Sequence, residues 1–445
     1  MDLEINISLS EVYASDSPFT IKQKSIMKNY TLVWISLILT ILVSCQPTEN
    51  KSAHTSEKER KVVYIIVDGI PNDVVEKVHT PNLDSIASKG GYTHAYVGGK
   101  KDGYSQTPTI SAVGYNSLLT GTWVNKHNVF GNGIKAPNYN YTSLFKLAKE
   151  QERPYSTAIY STWLDNRTKL IGEGLAATGN VKVDYAFDGF ELDTVNFPKK
   201  ENNLQYFEID EKVSKEAGRY IKENAPDFSW VYLQYTDDAS HRFGDGDYFY
   251  EYVTKADAQV GRVWDAVKER EAKYNEEWMI VVTTDHGRTA ETGHHHGGQS
   301  ERERATWIVT NQKPNKYFDY GTPGVTSIYP SIINFMGWKM KDEQREELDD
   351  VAFYGETDFF GLDASSENNK TTITWTPLQN GEAEVLVTTT NNFKTGGADQ
   401  YTSLGKVNLK DKSFTFDNQG DFQKIVLKSK NTVTNTWTVK EEKQS

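Results

Sequence analysis

At 445 residues the chain has room for roughly three domain-sized units, although one large α/β enzyme can take most of that length. A composition of 37% hydrophobic, 25% charged and 12% aromatic residues is globular, which excludes wholesale disorder, a collagen-like chain and a multi-span membrane protein. The net charge of −12 leaves no electrostatic footprint for binding a nucleic-acid polymer, and a single cysteine, Cys45, excludes both a disulfide framework and a Cys-ligated zinc site.

Residues 31–43 form an apolar run preceded by Lys22, Lys24 and Lys28. The run is short for a transmembrane helix and suits the core of a signal peptide. It ends in Leu42-Val43-Ser44-Cys45, which resembles the bacterial lipoprotein processing box, in which the cysteine is lipidated and becomes the first mature residue. Met27 would open a signal peptide of ordinary length, so residues 1–45 are read as a signal region with its true start at Met27 and a lipid on Cys45. The polar residues 46–60 read as a flexible tether. The expected address is the cell envelope, anchored by lipid at the outer membrane and facing the periplasm or the exterior.

Val62–Val67 is a continuous apolar strand of the kind buried on both faces of a parallel sheet. Similar runs recur at Ser156–Tyr160, Trp230–Tyr235, Trp278–Val282 and Thr306–Val309. Helical patterns lie between and after them at Leu83–Ser88, Leu144–Glu150, Ile209–Glu223, Tyr248–Arg270 and Val325–Met336. This alternation predicts an α/β fold over residues 61–365, with a mostly parallel central sheet covered by helices on both faces. Thr-rich alternation then sets in, as at Thr371-Thr372-Ile373-Thr374-Trp375, and predicts a small β-sandwich over residues 366–445. No histidine follows His296, so this module is a poor source of metal ligands, and its expected role is packing or a glycan or surface contact.

Ligands of a parallel sheet gather at the carboxyl ends of its strands. Asp68 follows the first strand directly, Asp285-His286-Gly287 follows another, and Asp237 and His241 follow a third with a spacing that lets both reach one cation. His294-His295-His296-Gly297-Gly298 comes next, and five of the nine histidines lie between residues 241 and 296. From the histidine run His296 is chosen, because the small glycines after it let the backbone approach closely. Three Asp and three His supply two divalent ions with mixed oxygen and nitrogen donors, a set that suits zinc and leaves positions open for substrate. Two such ions about 4 Å apart can neutralise a phosphoryl group and activate a nucleophile. For that nucleophile, Ser111 and Thr109 both qualify in a loop that runs into the short helical stretch Ala112–Gly121.

These motifs together resemble the alkaline phosphatase superfamily, and most closely its nucleotide pyrophosphatase/phosphodiesterase branch. The strand ending in Asp68 is followed by Thr80-Pro81-Asn82-Leu83, as in that branch. Its nucleophile stands in a Pro-Thr-x-Thr pattern ten residues before a Thr-Gly pair, and in this chain that position is Ser111, with Pro108-Thr109 in register before Thr120-Gly121. The segment His127-Asn128-Val129-Phe130-Gly131-Asn132 matches one that closes on a phosphate-contacting Asn, which makes Asn132 that residue. The resemblance implies that Asp237, His241 and His296 hold one zinc. Asp68, Asp285 and His286 would hold the other, next to Ser111, which itself becomes a ligand. It further implies attack by Ser111, a phosphoserine intermediate stabilised by Asn132 and helix amides, and hydrolysis by a water activated at the second ion.

The pattern departs from the branch at two points, with serine in place of the usual threonine at Ser111 and Thr236 in place of a proline. Residues 111–115 carry neither the Pro nor the Arg that sulfatase maturation requires, which argues against a sulfatase. The expected substrate is a small phosphodiester or nucleotide pyrophosphate. The alternatives are a phosphomonoesterase, a phosphonate hydrolase or a head-group transferase on the same site and, from a different class, a non-catalytic glycan-binding surface lipoprotein. A monoesterase needs a further cation for the extra phosphate charge, and Lys100, Lys101 and Arg167 are candidates. Trp163, after a predicted strand, is a candidate for the leaving-group pocket.

Overall fold

The computed structural model describes residues 57–440. The signal region, Cys45 and nearly all of the expected tether lie outside the described residues. Within them no helix is long and apolar enough to cross a membrane.

The central sheet is built from β1 (Glu59–Val67), β2 (Gly91–Tyr96), β3 (Thr157–Ser161), β4 (Tyr185–Phe187), β5 (Phe228–Leu233), β6 (Glu276–Thr283) and β7 (Ala305–Thr310). Its order is β2-β7-β6-β1-β5-β3-β4. The run from β6 to β4 is parallel, whereas β7 is antiparallel to both β6 and β2. This is the mostly parallel, helix-covered sheet that the alternation predicts. β1 begins at Glu59, two residues inside the expected tether, because Glu59 and Arg60 pair with Glu276 and Glu277 of β6.

β1 shows why this sequence makes a central strand. Val62, Tyr64 and Ile66 face one core, Val63, Ile65 and Val67 face the other, and all six are buried. An apolar residue at every position is stable only between two covered faces. The first face is covered by α1 (Ser111–Thr120), Leu144–Lys149 and α5 (Ile328–Met336). The second is covered by α2 (Leu204–Asn224) and the long α4 (Asp247–Lys273), with α3 (Tyr235–Phe243) contributing Tyr235 and Ala239. β2 and β4, both absent from the sequence reading, are edge strands in which most residues are only partly buried, so they lack the continuous apolar signature.

The C-terminal strands form two antiparallel sheets, β11-β10-β13-β14 and β12-β9-β8, which enclose a separate small core around Ile373, Trp375, Val385 and Ile425. Here β8 is Phe359–Glu367, β9 Lys370–Pro377, β10 Glu382–Thr388, β11 Thr402–Asn408, β12 Ser413–Asp417, β13 Phe422–Lys428 and β14 Val433–Val439. β8 crosses the expected boundary at residue 366. Its register shifts between Phe360 and Asp363, where Gly361 takes a positive φ of 66°, and this bulge hides the strand's alternation in the sequence.

A buried charge network joins these sheets to the α/β part. Lys126 Nζ lies 2.6 Å from Asp349 Oδ1 and 3.0 Å from Asn435 Oδ1. Lys424 pairs with Glu347 and lies 2.6 Å from Asp399 Oδ2. Both lysine side chains are fully buried. Replacing Lys424 by Met removes the charge that Glu347 and Asp399 share, leaving Glu347 with Lys126 at 3.9 Å and Asp399 with the Thr390 hydroxyl and Asn392 amide, and a loss of about 3 kcal/mol in unfolding free energy is expected from urea titration. A variant within 1 kcal/mol of the native chain, roughly the scale of an exposed pair, would show that the network contributes little.

Candidate metal centre

β1 lies between β5 and β6, so the carboxyl ends of three neighbouring parallel strands deliver the candidate ligands to one place. Asp68 leaves β1 directly. Asp285 and His286 follow β6 after Thr284. Asp237 and His241 sit one turn apart on α3, which starts two residues after β5. Gly114 lets α1 pack on this edge, since a Cβ there would lie 2.7 Å from the Asp285 carbonyl oxygen.

Two donor sets result. Asp68, Asp285 and His286 are fully buried and offer ligand atoms within 4.8 Å of one another; Asp237, His241 and His296 offer ligand atoms equally close together at the mouth, where Asp237 and His296 are partly buried and His241 is exposed. In the inner set His286 Nε2 lies 3.4 Å from Asp68 Oδ1, 3.2 Å from Asp285 Oδ2 and 3.3 Å from Ser111 Oγ. In the outer set His241 Nε2 lies 3.0 Å from His296 Nε2 and 3.5 Å from Asp237 Oδ2. His286 and His296 stack with ring centroids 3.7 Å apart, which brings the two sets side by side.

The protonation pattern fits cation binding. His286 Nδ1 donates to the Gly287 carbonyl at 3.0 Å and His296 Nδ1 to the Thr109 carbonyl at 2.7 Å, so each ring turns its Nε2 lone pair inward. Burial holds His286 well below the usual imidazole range and brings His296 down to about 4, so both rings are neutral at pH 7. Burial, reinforced by the charges of Asp285 and Asp237, pushes the Asp68 carboxyl well up. Asp285 rises to about 7 through burial and the charge of Asp237. Asp68 Oδ1 and Asp285 Oδ2 are buried with no hydrogen-bond donor. Two bare carboxylate oxygens facing neutral imidazole nitrogens leave electrostatic room for cations, and the donor chemistry suits zinc.

Neighbouring groups hold these ligands in place. Asp68 Oδ2 accepts from Tyr232 Oη at 2.7 Å and from Tyr115 Oη. Thr236, at the position where a proline was expected, donates its hydroxyl to the Asp68 carbonyl at 2.6 Å, a bond that proline cannot make. None of Tyr115, Tyr232 and Arg288 was identified from the sequence. The tyrosines lie within apolar stretches that read as core, and the only signal for Arg288 was its place after Asp285-His286-Gly287.

Ser111 stands at the start of α1 with its hydroxyl at the inner set. Thr109 is fully buried and its hydroxyl is committed, donating to the Gly298 carbonyl and accepting from the Gly297 amide, both at 2.9 Å. Asn132 accepts the Ala112 amide N–H through Oδ1 at 3.0 Å, so it caps α1 and keeps Nδ2 as a donor. The Ala112 amide, one of the helix amides expected to face phosphate, is thereby occupied. Of the histidine run, only His296 joins a donor set. His294 Nδ1 lies 3.0 Å from the His241 carbonyl, and His295 is exposed.

The four residues assigned to substrate divide. Trp163 packs edge-on against Tyr115 with centroids 6.2 Å apart, which puts it beside the Asp68 ligand. Arg167 is spent elsewhere: it forms a bidentate pair with Asp188 at 2.7 and 2.9 Å and reaches Glu173 at 2.6 Å. Lys100 pairs with Asp363 of β8, and Lys100 and Lys101 line a cleft of about 1260 Å³ between the 99–106 loop and the C-terminal sheets. Lys100 and Arg167, read as candidates for phosphate charge, thus have carboxylate partners of their own in Asp363 and in Asp188 and Glu173.

The family model for type I phosphodiesterase/nucleotide pyrophosphatase matches residues 62–364. Ectonucleotide pyrophosphatase/phosphodiesterase family member 7 from Rattus norvegicus is 23% identical over 276 residues, covering 58% of this chain and 56% of the relative. Its Mus musculus counterpart is 22% identical over 273 residues with the same coverage. The chain thus spans about half the length of the curated relatives it matches. Among solved structures, a phosphonate monoester hydrolase of Agrobacterium radiobacter aligns at 13% identity and TM-score 0.46 over 85% of this chain and 89% of that one. Murine ectonucleotide pyrophosphatase/phosphodiesterase 5 in complex with AMP aligns at 12% identity and TM-score 0.44 over 63% and 96%.

Each donor set should act as a site whose filling stabilises the fold. A divalent ion at about 100 times its Kd should add about 2.7 kcal/mol to the unfolding free energy per site, and a chelator should remove it. Asp68→Asn should lose one increment and keep the other. A melting temperature indifferent to ion and chelator would exclude both sites.

Proposed function

The chain belongs to the type I phosphodiesterase/nucleotide pyrophosphatase family, and from that premise we propose that it is a two-zinc phosphoric ester hydrolase that cleaves phosphodiester or nucleotide pyrophosphate bonds through phospho-Ser111. The observation that carries this reading is the convergence of Ser111 Oγ with His286 Nε2 at 3.3 Å, inside a set that also holds Asp68 and Asp285. The residues present fit two ions, one among Asp68, Asp285, His286 and Ser111 and the other among Asp237, His241 and His296. When bound, such ions supply Lewis acidity for the phosphoryl group and lower the pKa of hydroxyl and water at neutral pH.

The chain's own residues supply position and shape. Ser111 is presented at the first turn of a fully buried helix, so its Oγ is set for in-line attack on phosphorus. The P–O bond to the leaving group breaks as the Ser111–phosphorus bond forms, and water later cleaves that ester. Asn132 Nδ2 is free to hold a non-bridging oxygen, because Oδ1 is already committed to α1. No side-chain general base is required. Trp163 borders the site where a leaving group would lie.

A diester or pyrophosphate is favoured over a monoester because two of the three cations that would match a second phosphate charge, Lys100 and Arg167, are paired elsewhere, which leaves Lys101. In this reading the lipid on Cys45, supported by the lone cysteine after an apolar run, tethers the hydrolase in the cell envelope. Any glycan or surface contact of the C-terminal sheets is a separate property of that module.

The zinc-loaded chain should show a higher kcat/KM for bis-p-nitrophenyl phosphate than for p-nitrophenyl phosphate. Ser111→Ala should lower kcat by roughly three or more orders of magnitude while metal content is unchanged. Near-native turnover in Ser111→Ala, with loss in Thr109→Ala, would move the nucleophile to Thr109. A monoester preference would make the protein a phosphatase on the same site.

A further inference from the structure

Between the two donor sets lies a cation that neither the motifs nor the proposed chemistry uses. Arg288 is fully buried, three residues after Asp285. Its Nη2 pairs with Asp237 Oδ1 and lies 3.2 Å from the Asp237 carbonyl oxygen, while Nε donates to the Gly69 carbonyl at 3.1 Å. Gly69 follows the ligand Asp68, and its own amide N–H donates to Asp285 Oδ1 at 3.1 Å. One guanidinium therefore links the backbone beside the inner set to a carboxylate of the outer set. Only a planar fork with several donors can meet acceptors from two separate strand ends at once.

The local backbone is shaped around this link. Gly69 has a φ of +68°, and a Cβ there would lie 2.3 Å from Arg288 Nη2 and 3.0 Å from Asp237 Oδ1. A side chain at residue 69 would thus be strained and would displace the guanidinium. The Asp237 carboxylate is held between two imidazoles, with Oδ1 3.6 Å from His296 Nε2 and Oδ2 3.5 Å from His241 Nε2. Arg288 has no exposed surface through which to touch a substrate.

We propose that Arg288 is a positioning residue for the outer metal site: it fixes the Asp237 carboxylate between His241 and His296 and so sets zinc affinity there and not at the inner site. The proposal rests on the two-metal reading above. A group that hydrogen-bonds a ligating carboxylate orients it, and removing such a group typically weakens metal binding about 10–100-fold.

The test is a zinc titration of the full chain against a chromophoric chelator, with Arg288→Met, Arg288→Lys and Gly69→Ala beside the native protein. The native chain should bind two zinc ions. In Arg288→Met one binding step should weaken about 10–100-fold while the other stays native. Arg288→Lys keeps the charge but loses the fork, so it should fall between the two and guards against a Met variant that fails to fold. Gly69→Ala should weaken the same step with Arg288 still present, and because the Gly69 amide also bonds Asp285 Oδ1 it is read for that step alone. In an Asp237→Asn background, Arg288→Met should change the remaining step no further, which identifies the affected site. Native constants for both steps in Arg288→Met and Arg288→Lys would overturn the proposal. So would parallel weakening of both steps alongside a lower melting temperature, the signature of a purely structural arginine. A native chain that binds fewer than two ions would overturn the two-metal reading and the proposal with it.

Discussion

The structure depends on burying three carboxylates together. Asp68 and Asp285 are fully buried, Asp237 nearly so, and one buried guanidinium is the only fixed positive charge in contact with any of them among the described residues. A carboxylate without compensation is costly in such surroundings, because desolvation and mutual repulsion both disfavour its charge. Protons relieve the strain in part, as the raised Asp68 and Asp285 carboxyls show, and cations relieve it more completely. The neutral imidazoles make the site a ligand set and not a salt-bridge network. Their Nδ1 protons are engaged by backbone carbonyls, so only the inward nitrogen lone pairs remain for a partner.

Holding such a cluster demands a rigid frame. Parallel strands that are apolar on both faces provide it, because any slip of β1, β5 or β6 would drive buried side chains into the opposite core. The helix of Ser111 is equally constrained. All ten residues of α1 are buried, so it cannot rotate to turn Ser111 away without moving the core.

This logic explains which parts were legible in the sequence. Residues that end a continuous apolar strand are conspicuous, and Asp68, Asp237 and Asp285 stand out for that reason. Helix periodicity marked the long, half-exposed α2 and α4, although their true ends lie a few residues further out. Edge strands such as Tyr185–Phe187 and the bulged β8 carry no such pattern, and their pairing comes from neighbours distant in the chain. Arg288, Tyr115 and Tyr232 were illegible because their meaning is contact with Asp237 and Asp68 across long sequence separations. Lys100 and Arg167 carry the same ambiguity. A basic residue near a motif in sequence has no fixed destination until its acidic partners, Asp363 and Asp188, are placed in space.

The C-terminal sheets, which contribute to neither donor set, still bear on the site. Lys126 sits in the buried network with Asp349 and Asn435, and the next residue, His127, faces α1. His127 Nδ1 accepts the Val129 amide N–H at 3.1 Å, so Nε2 carries the ring proton and donates to Ser117 Oγ of α1, also at 3.1 Å. Burial lowers the His127 pKa to about 3, which keeps that tautomer neutral and the bond unchanged across the physiological range. Five residues later the same segment delivers Asn132 to the first turn of α1. The turn that carries Asn132 is therefore fixed at one end to the C-terminal sheets and at two points to the helix of Ser111. The C-terminal sheets thus help set the distance between Ser111 and Asn132.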